Sequence, residues 1–208
     1  MKRFHLPGMA ITLIDDQDII YENATGLIDI ENNIEASTES VFKLWSVAKA
    51  FTALEIFREV EEGLIELDAP LTTYLPDFSI KSRFQTGEII TVRDLLAHRA
   101  GLPRNEGLLP EERDENPDFL EKFERGASSA YLAYPIRYRY KYSNLGYDLL
   151  GRIIENTRKM GYYQYMEEHI LDELGMKNSH FYREGISDPQ KIALGYEYYK
   201  RNYHPYTQ

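Results

Sequence analysis

Between Ser46 and Glu62 the apolar residues fall at helical spacing. Val47, Ala50, Phe51, Leu54, Phe57 and Val60 recur at i, i+3, i+4 and i+7, which predicts a helix with one buried face. Gly63 supplies its stop. Residues 8–30 read as a β-hairpin. Met9 to Ile14 is one strand, Asp15 to Asp18 the turn, Ile19 to Asn23 the return, and Ala24 to Asp29 an irregular extended continuation. Two strands cannot bury an inner face alone, so the hairpin needs further strands or a helix, and the Ser46 helix is the obvious partner.

Downstream, Thr91-Val92-Arg93-Asp94 resembles a capping box that opens a short helix ending at Gly101. Gly146 to Asn156 reads as a helix with Asn144 as its N-cap, and Tyr162 to Leu174 as another, stopped by Gly175. Residues 104–128 are acidic and read as a solvated flap with one short helix over 117–123. The tail from Glu197 is rich in tyrosine and has no clear period. Strands come first, helices follow, and no closing strands are evident. That order points to an α+β class rather than alternating βαβ units. The chain divides into N-terminal strands (1–45), a helical region (46–178) and a tail (179–208), read as one partial domain.

A net charge of −10 argues against nucleic acid or an anionic membrane as a partner, because phosphates are repelled at long range. The absence of cysteine rules out disulfides and thiolate metal sites. His5, His169, His180 and His204 lack paired metal-ligand spacing, and His98 reads as a helix-end residue that satisfies terminal carbonyls. No metal and no organic cofactor are expected. No apolar run approaches the ~20 residues of a membrane span, and no signal peptide is evident, so the chain as given reads as cytoplasmic.

Two short motifs carry chemistry. Ser46 and Lys49 stand three apart and share a helix face. A serine hydroxyl needs a base within hydrogen-bond reach, and a lysine neutral for part of the time supplies one. Ser-x-x-Lys arises by chance about once in a chain this size, and a serine at a helix start is usually a cap, so the pair alone is a weak signal. Tyr142-Ser143-Asn144 adds a phenol able to take and return a proton, and a carboxamide able to bond a substrate amide or the lysine ammonium. The run Arg137-Tyr138-Arg139-Tyr140-Lys141-Tyr142 alternates cations and aromatics. It reads as a strand-like approach to the site, in preference to a single-strand nucleic-acid platform.

In order and context these segments resemble the serine β-lactamase and penicillin-binding-protein superfamily, in its class C β-lactamase-like branch. The resemblance rests on Pro7 to Ala10, Phe42 to Lys49, Glu62 to Asp68 with Tyr74-Leu75-Pro76, Ile90 to His98 with Gly101-Leu102, Tyr142 to Tyr147, and Leu174-Gly175-Met176. It implies a β-lactamase-like fold, an antiparallel sheet packed on helices beside a mostly helical subdomain. It also implies an acyl-enzyme mechanism on an amide, lactam or ester. Ser46 attacks the carbonyl, Lys49 and Tyr142 share base and acid duties, and Asn144 orients substrate and Lys49. The Ser46 backbone N–H supplies half of an oxyanion hole. The implied partner is a small molecule or peptide bearing an acyl group.

Several features depart from the family pattern. Arg99-Ala100 stands where small hydroxyl residues are usual, and Pro135 is followed by Ile136 rather than glycine. A third motif, Lys/His-x-Gly on a strand, does not follow. Lys159-Met160-Gly161 has those letters but reads as a helix C-terminus. The resemblance therefore implies an N-terminal portion of the fold, incomplete because C-terminal strands are absent. Such a chain has an open sheet edge and is expected to self-associate or to bind a complementing chain. The alternative function is a catalytically silent remnant or binding fragment.

Overall fold

The computed structural model describes residues 2–85, 87–104 and 126–206. The flap helix expected over 117–123 lies outside the described residues. Two compact units are formed: residues 1–45 with 177–208, and residues 46–176.

The first unit is built on the N-terminal hairpin. Strand β1 (Gly8–Asp15) pairs antiparallel with β2 (Asp18–Asp29) in a register that runs from Asp15↔Asp18 to Gly8↔Gly26. Asp16 and Gln17 make the turn with positive φ. The stretch Ala24–Asp29, expected to be an irregular extended continuation, belongs to β2: Ala24 to Gly26 pair with β1, and the register shifts between Leu27 and Asp29. A short β3 (Ile34–Glu35) completes a three-stranded sheet in the order β1-β2-β3. The tail also departs from expectation. Tyr196–Tyr199 (β4) and Asn202–Pro205 (β5) form an antiparallel hairpin whose turn residues Lys200 and Arg201 take positive φ. Its tyrosine pattern was opaque because both strands pack ring on ring, with Tyr198 against Tyr203 and Tyr199 stacked on His204, instead of alternating apolar with polar. The Tyr196 hydroxyl donates to Glu31 at 2.5 Å and accepts from the Ile30 N–H at 2.8 Å, so the tail is tied to the end of β2.

The second unit is helical. A 3₁₀ turn (Trp45–Ala48) leads into α1 (Lys49–Glu61), so Ser46 precedes the regular helix rather than opening it. Helix α2 (Val92–Leu96) carries the expected capping box, with Thr91 and Asp94 bonded reciprocally. It ends earlier than Gly101, because His98 takes a left-handed φ of 53°. Helix α3 (Asn144–Arg158) is capped by Ser143, not Asn144: the Ser143 hydroxyl accepts from the Gly146 N–H at 3.0 Å. Lys159 closes α3 in the αL conformation. Helix α4 (Tyr162–Met166) continues as a π-helical turn over Glu167–Leu171. The core gathers around Ile56 of α1, Leu95 of α2, Leu149, Leu150 and Ile153 of α3, and Leu71 and Leu75 from the segment between α1 and α2, each 1% exposed or less.

The buried face of α1 is not the apolar stripe. Val47, Leu54 and Phe57 are exposed, whereas Thr52, Glu55, Ile56 and Glu59 are buried. Two carboxylates can point into the core because Arg158 meets them there. Its guanidinium lies 2.7 Å from Glu55, 3.0 Å from Glu59 and 2.6 Å from Glu62. Thr157 adds a hydroxyl bond to Glu59 at 2.6 Å. Arg58 also lies 3.7 Å from Glu55, so two guanidiniums face three carboxylates and negative charge is in excess. Burial, only partly offset by Thr157 and Arg158, pushes the Glu59 carboxyl up to about 7.

This raised value sets a sign. The folded chain holds the Glu59 proton more tightly than the unfolded chain, so the associated stability is present at low pH. It is lost as pH rises from the ordinary carboxylate range through about 7. Denaturant unfolding of wild type and Glu59→Gln between pH 5 and 8 is expected to show wild type losing stability relative to the variant as pH rises. Parallel pH profiles would contradict the assignment.

Candidate active site

The run Arg137–Tyr142 is not a strand. Arg137 takes a left-handed φ of 60° and, though itself exposed, bonds the buried Asp94 carboxylate through its guanidinium at 2.9 and 2.7 Å. That ion pair breaks the period-two alternation and leaves Tyr138 and Tyr140 exposed. The chain then passes under α2, where the Lys141 N–H donates to the His98 carbonyl at 2.8 Å, and enters the cap of α3.

The cap is a sealed joint. Ser143 is 2% exposed; besides accepting from Gly146, its hydroxyl donates to the Pro103 carbonyl at 2.6 Å. The Asn144 N–H donates to the Arg104 carbonyl at 2.7 Å. Gly101 allows the approach: its φ is 71°, and a Cβ there would collide with the Tyr134 carbonyl. The residues on either side of Ser143 are therefore fixed with it.

All four residues singled out from the sequence converge. The Ser46 and Tyr142 hydroxyl oxygens lie 2.6 Å apart. The Lys49 ammonium donates to the Asn144 carboxamide oxygen at 2.9 Å and lies 5.2 Å from the centre of the Tyr142 ring. Ser46 is exposed and Lys49 half-buried, so the hydroxyl is open to a ligand while the lysine is held behind it. Trp45, immediately before Ser46, has a φ of 50°, an uncommon value for a non-glycine residue. The chain thus enters the 3₁₀ turn through a sharp bend, which presents the Ser46 side chain at a helix start.

The phenol is electrostatically tuned. Burial alone would raise the Tyr142 pKa. Hydrogen bonding with Lys49 and Ser46 and the charges of Lys49 and Arg104 outweigh it, and the net direction is down. Tyr147 moves the other way, raised mainly by burial, and its hydroxyl donates to the Leu96 carbonyl at 3.3 Å.

His98 has a different role from the one expected. Its ring sits against Tyr142 and Tyr147, with centroids 4.6 and 5.0 Å apart, and its Nδ1 accepts from the Ser143 N–H at 3.3 Å rather than donating to helix carbonyls. Burial, then the nearby Lys49 charge, holds its pKa below the ordinary histidine value, which keeps Nδ1 an acceptor near neutral pH. Sequence reasoning missed Arg104, whose guanidinium lies 5.8 Å from the Tyr142 ring centre. The available signal was a cation directly after Gly101-Leu102-Pro103. Among the described residues no group of three histidine or acidic side chains is placed to hold a metal.

A hydroxyl, a phenol with a lowered pKa and a lysine tethered by a carboxamide make a set suited to moving a proton off a serine and onto a leaving group. Fold and site together describe a serine-hydrolase-like protein. The chain belongs to the beta-lactamase family, whose model matches residues 1–204. It is 30% identical over 198 residues to Protein flp of Staphylococcus aureus (strain MW2), covering 95% of this chain and 39% of that protein. Among solved structures, the octameric penicillin-binding protein homologue from Pyrococcus abyssi superposes with a TM-score of 0.83 at 30% identity, covering 99% of this chain and 47% of that one. The beta-lactamase/D-alanine carboxypeptidase from Yersinia pestis gives 0.70 at 25%, covering 84% and 50%. The chain thus spans less than half the length of the curated relative and about half that of these structures. Among the described residues no helix is long and apolar enough to cross a membrane.

The cap makes a direct prediction. Ser143→Ala removes both hydroxyl bonds at once and is expected to cost about 1–2 kcal/mol in denaturant unfolding. An unchanged midpoint would show that the joint does not hold the α3 start.

Proposed function

We propose that this chain is a β-lactamase-related serine hydrolase of the class C-like branch that forms an acyl-enzyme on Ser46 from an amide, lactam or ester. The observation that carries the reading is the 2.6 Å contact between the Ser46 and Tyr142 hydroxyls, beside a lysine held by Asn144. Tyr142, as phenolate, takes the Ser46 proton while Oγ bonds to the substrate carbonyl carbon. On collapse of the tetrahedral adduct the C–N or C–O bond breaks, and the proton passes from Tyr142 to the departing nitrogen or oxygen. Water then cleaves the Ser46 ester by the reverse path. Lys49 stabilises the phenolate, and Asn144 holds Lys49. The substrate is the acyl compound alone, with no cofactor and no nucleic acid. No family name fixes which acyl group is taken.

The alternative is a binding fragment that keeps the arrangement without turnover. One observation favours giving it weight: Val47, in the turn before α1, and Leu54 and Phe57 of α1 are exposed. An apolar stripe of this kind supports association with a complementing chain or a second copy.

Intact mass after incubation with a penicillin and, separately, a fluorophosphonate separates the readings. An adduct on wild type that is absent from Ser46→Ala is expected. Folded wild type without an adduct would overturn the hydrolase reading in favour of the fragment. Light scattering on the same sample is expected to report assemblies larger than a monomer; a monodisperse monomer would remove the association.

A further inference from the structure

Arg104 lies at the site without belonging to either motif. Its position is imposed by the backbone. The Arg104 carbonyl accepts from the Asn144 N–H at 2.7 Å and from the Leu145 N–H at 3.4 Å, so this residue occupies the open N-terminus of α3. The preceding carbonyl, that of Pro103, is held by the buried Ser143 hydroxyl, and Leu102 is 1% exposed. Residues 102–104 are thus clamped on three sides of the same cap that carries Tyr142 and Asn144. From that clamp the guanidinium reaches to 5.8 Å from the Tyr142 ring centre, while the Lys49 ammonium lies 5.2 Å from it.

We propose that Arg104 is a positioning residue for the acid–base chemistry of Tyr142: beside Lys49, it is a further cation against the ring, and its charge favours the ionised form of the phenol. The inference rests on the Ser46 reading for its purpose, but its physical content does not. A permanent charge at this distance stabilises the ionised phenol without accepting or donating the transferred proton. Arginine remains charged throughout the relevant pH range. Among the described residues, the charged and titratable groups facing the phenol are Lys49 from the α1 end, His98 after α2, Tyr147 on α3, and Arg104, with the Ser46 hydroxyl bonded to it. His98 is held neutral, so Lys49 and Arg104 are the two positive charges among them. The shift of Tyr142 below its ordinary value, with Arg104 among its causes, agrees with this arrangement.

The test is a direct titration, read without any substrate. Tyrosine labelled with ¹³C at Cζ is followed by NMR from pH 7 to 11 in the intact chain, with Tyr142→Phe to assign the resonance. The inference expects the Tyr142 signal of wild type to titrate below ordinary tyrosine. Arg104→Gln should move it upward enough to lower the phenolate fraction near neutral pH several-fold, and Arg104→Lys should restore most of the shift. Because Arg104 holds the cap through its carbonyl, these variants keep those bonds, and unchanged signals from the other tyrosines report an intact fold. Arg104→Gln with an unmoved Tyr142 titration overturns the inference, whatever the outcome of labelling at Ser46. An upward shift with no labelling of wild type leaves the inference standing and removes the hydrolase reading instead.

Discussion

The parallel seating of α3 on α1 holds the site together. Near one end, Lys49 meets Asn144; near the other, Arg158 meets Glu55, Glu59 and Glu62. The two helices therefore run in the same direction with their N-termini side by side. A hydroxyl and a phenol 96 positions apart come to 2.6 Å because both ends of this pairing are fixed. Between them Ile56 and Ile153 are fully buried and supply the apolar contact. The polar ends set register, since a helix slipped by one turn would separate Arg158 from its carboxylates and leave buried charge unpaired.

The cap of α3 converts that packing into chemistry. Ser143 is invisible to any catalytic motif that names only its neighbours, yet its buried hydroxyl bonds both the helix and Pro103. Tyr142 and Asn144 are displayed by this residue, one on each side. His98 completes the support from beneath: a neutral ring against Tyr142, it accepts the Ser143 N–H, which lies before the helix and has no partner within it. Neutral hydrogen bonds organise the cap, the Lys49 ammonium is held by Asn144, and Lys49 and Arg104 both stand against the Tyr142 ring.

Much of this was legible in the sequence where the signal is local. The capping box at Thr91, the hairpin after Gly8 and the helix before Gly63 follow from side-chain types at fixed offsets. The four residues of the site were found through motif order, and the structure brings all four together. The buried face of α1 was not legible. Hydrophobic periodicity assigns glutamates to solvent, whereas contacts with the remote Arg158 and Thr157 help hold Glu55 and Glu59 inside. The same holds for Arg137, whose ion pair with the buried Asp94 replaces a strand that alternation alone favoured. In the tail, ring stacking between β4 and β5 replaced the apolar–polar pattern by which strands are recognised. Each of these failures is a long-range polar or aromatic contact overriding a local rule.

The central claim is that Tyr142 takes the Ser46 proton within this chain. The rate of Ser46 phosphonylation by a fluorophosphonate in Tyr142→Phe, compared with wild type at the same pH, tests it most directly. Loss of the phenol removes the proton acceptor while keeping the ring against His98 and Lys49, and a decrease of about 10²-fold or more is expected. A Tyr142→Phe rate within a few-fold of wild type would mean that Ser46 is activated by another group, and that the 2.6 Å contact is structural.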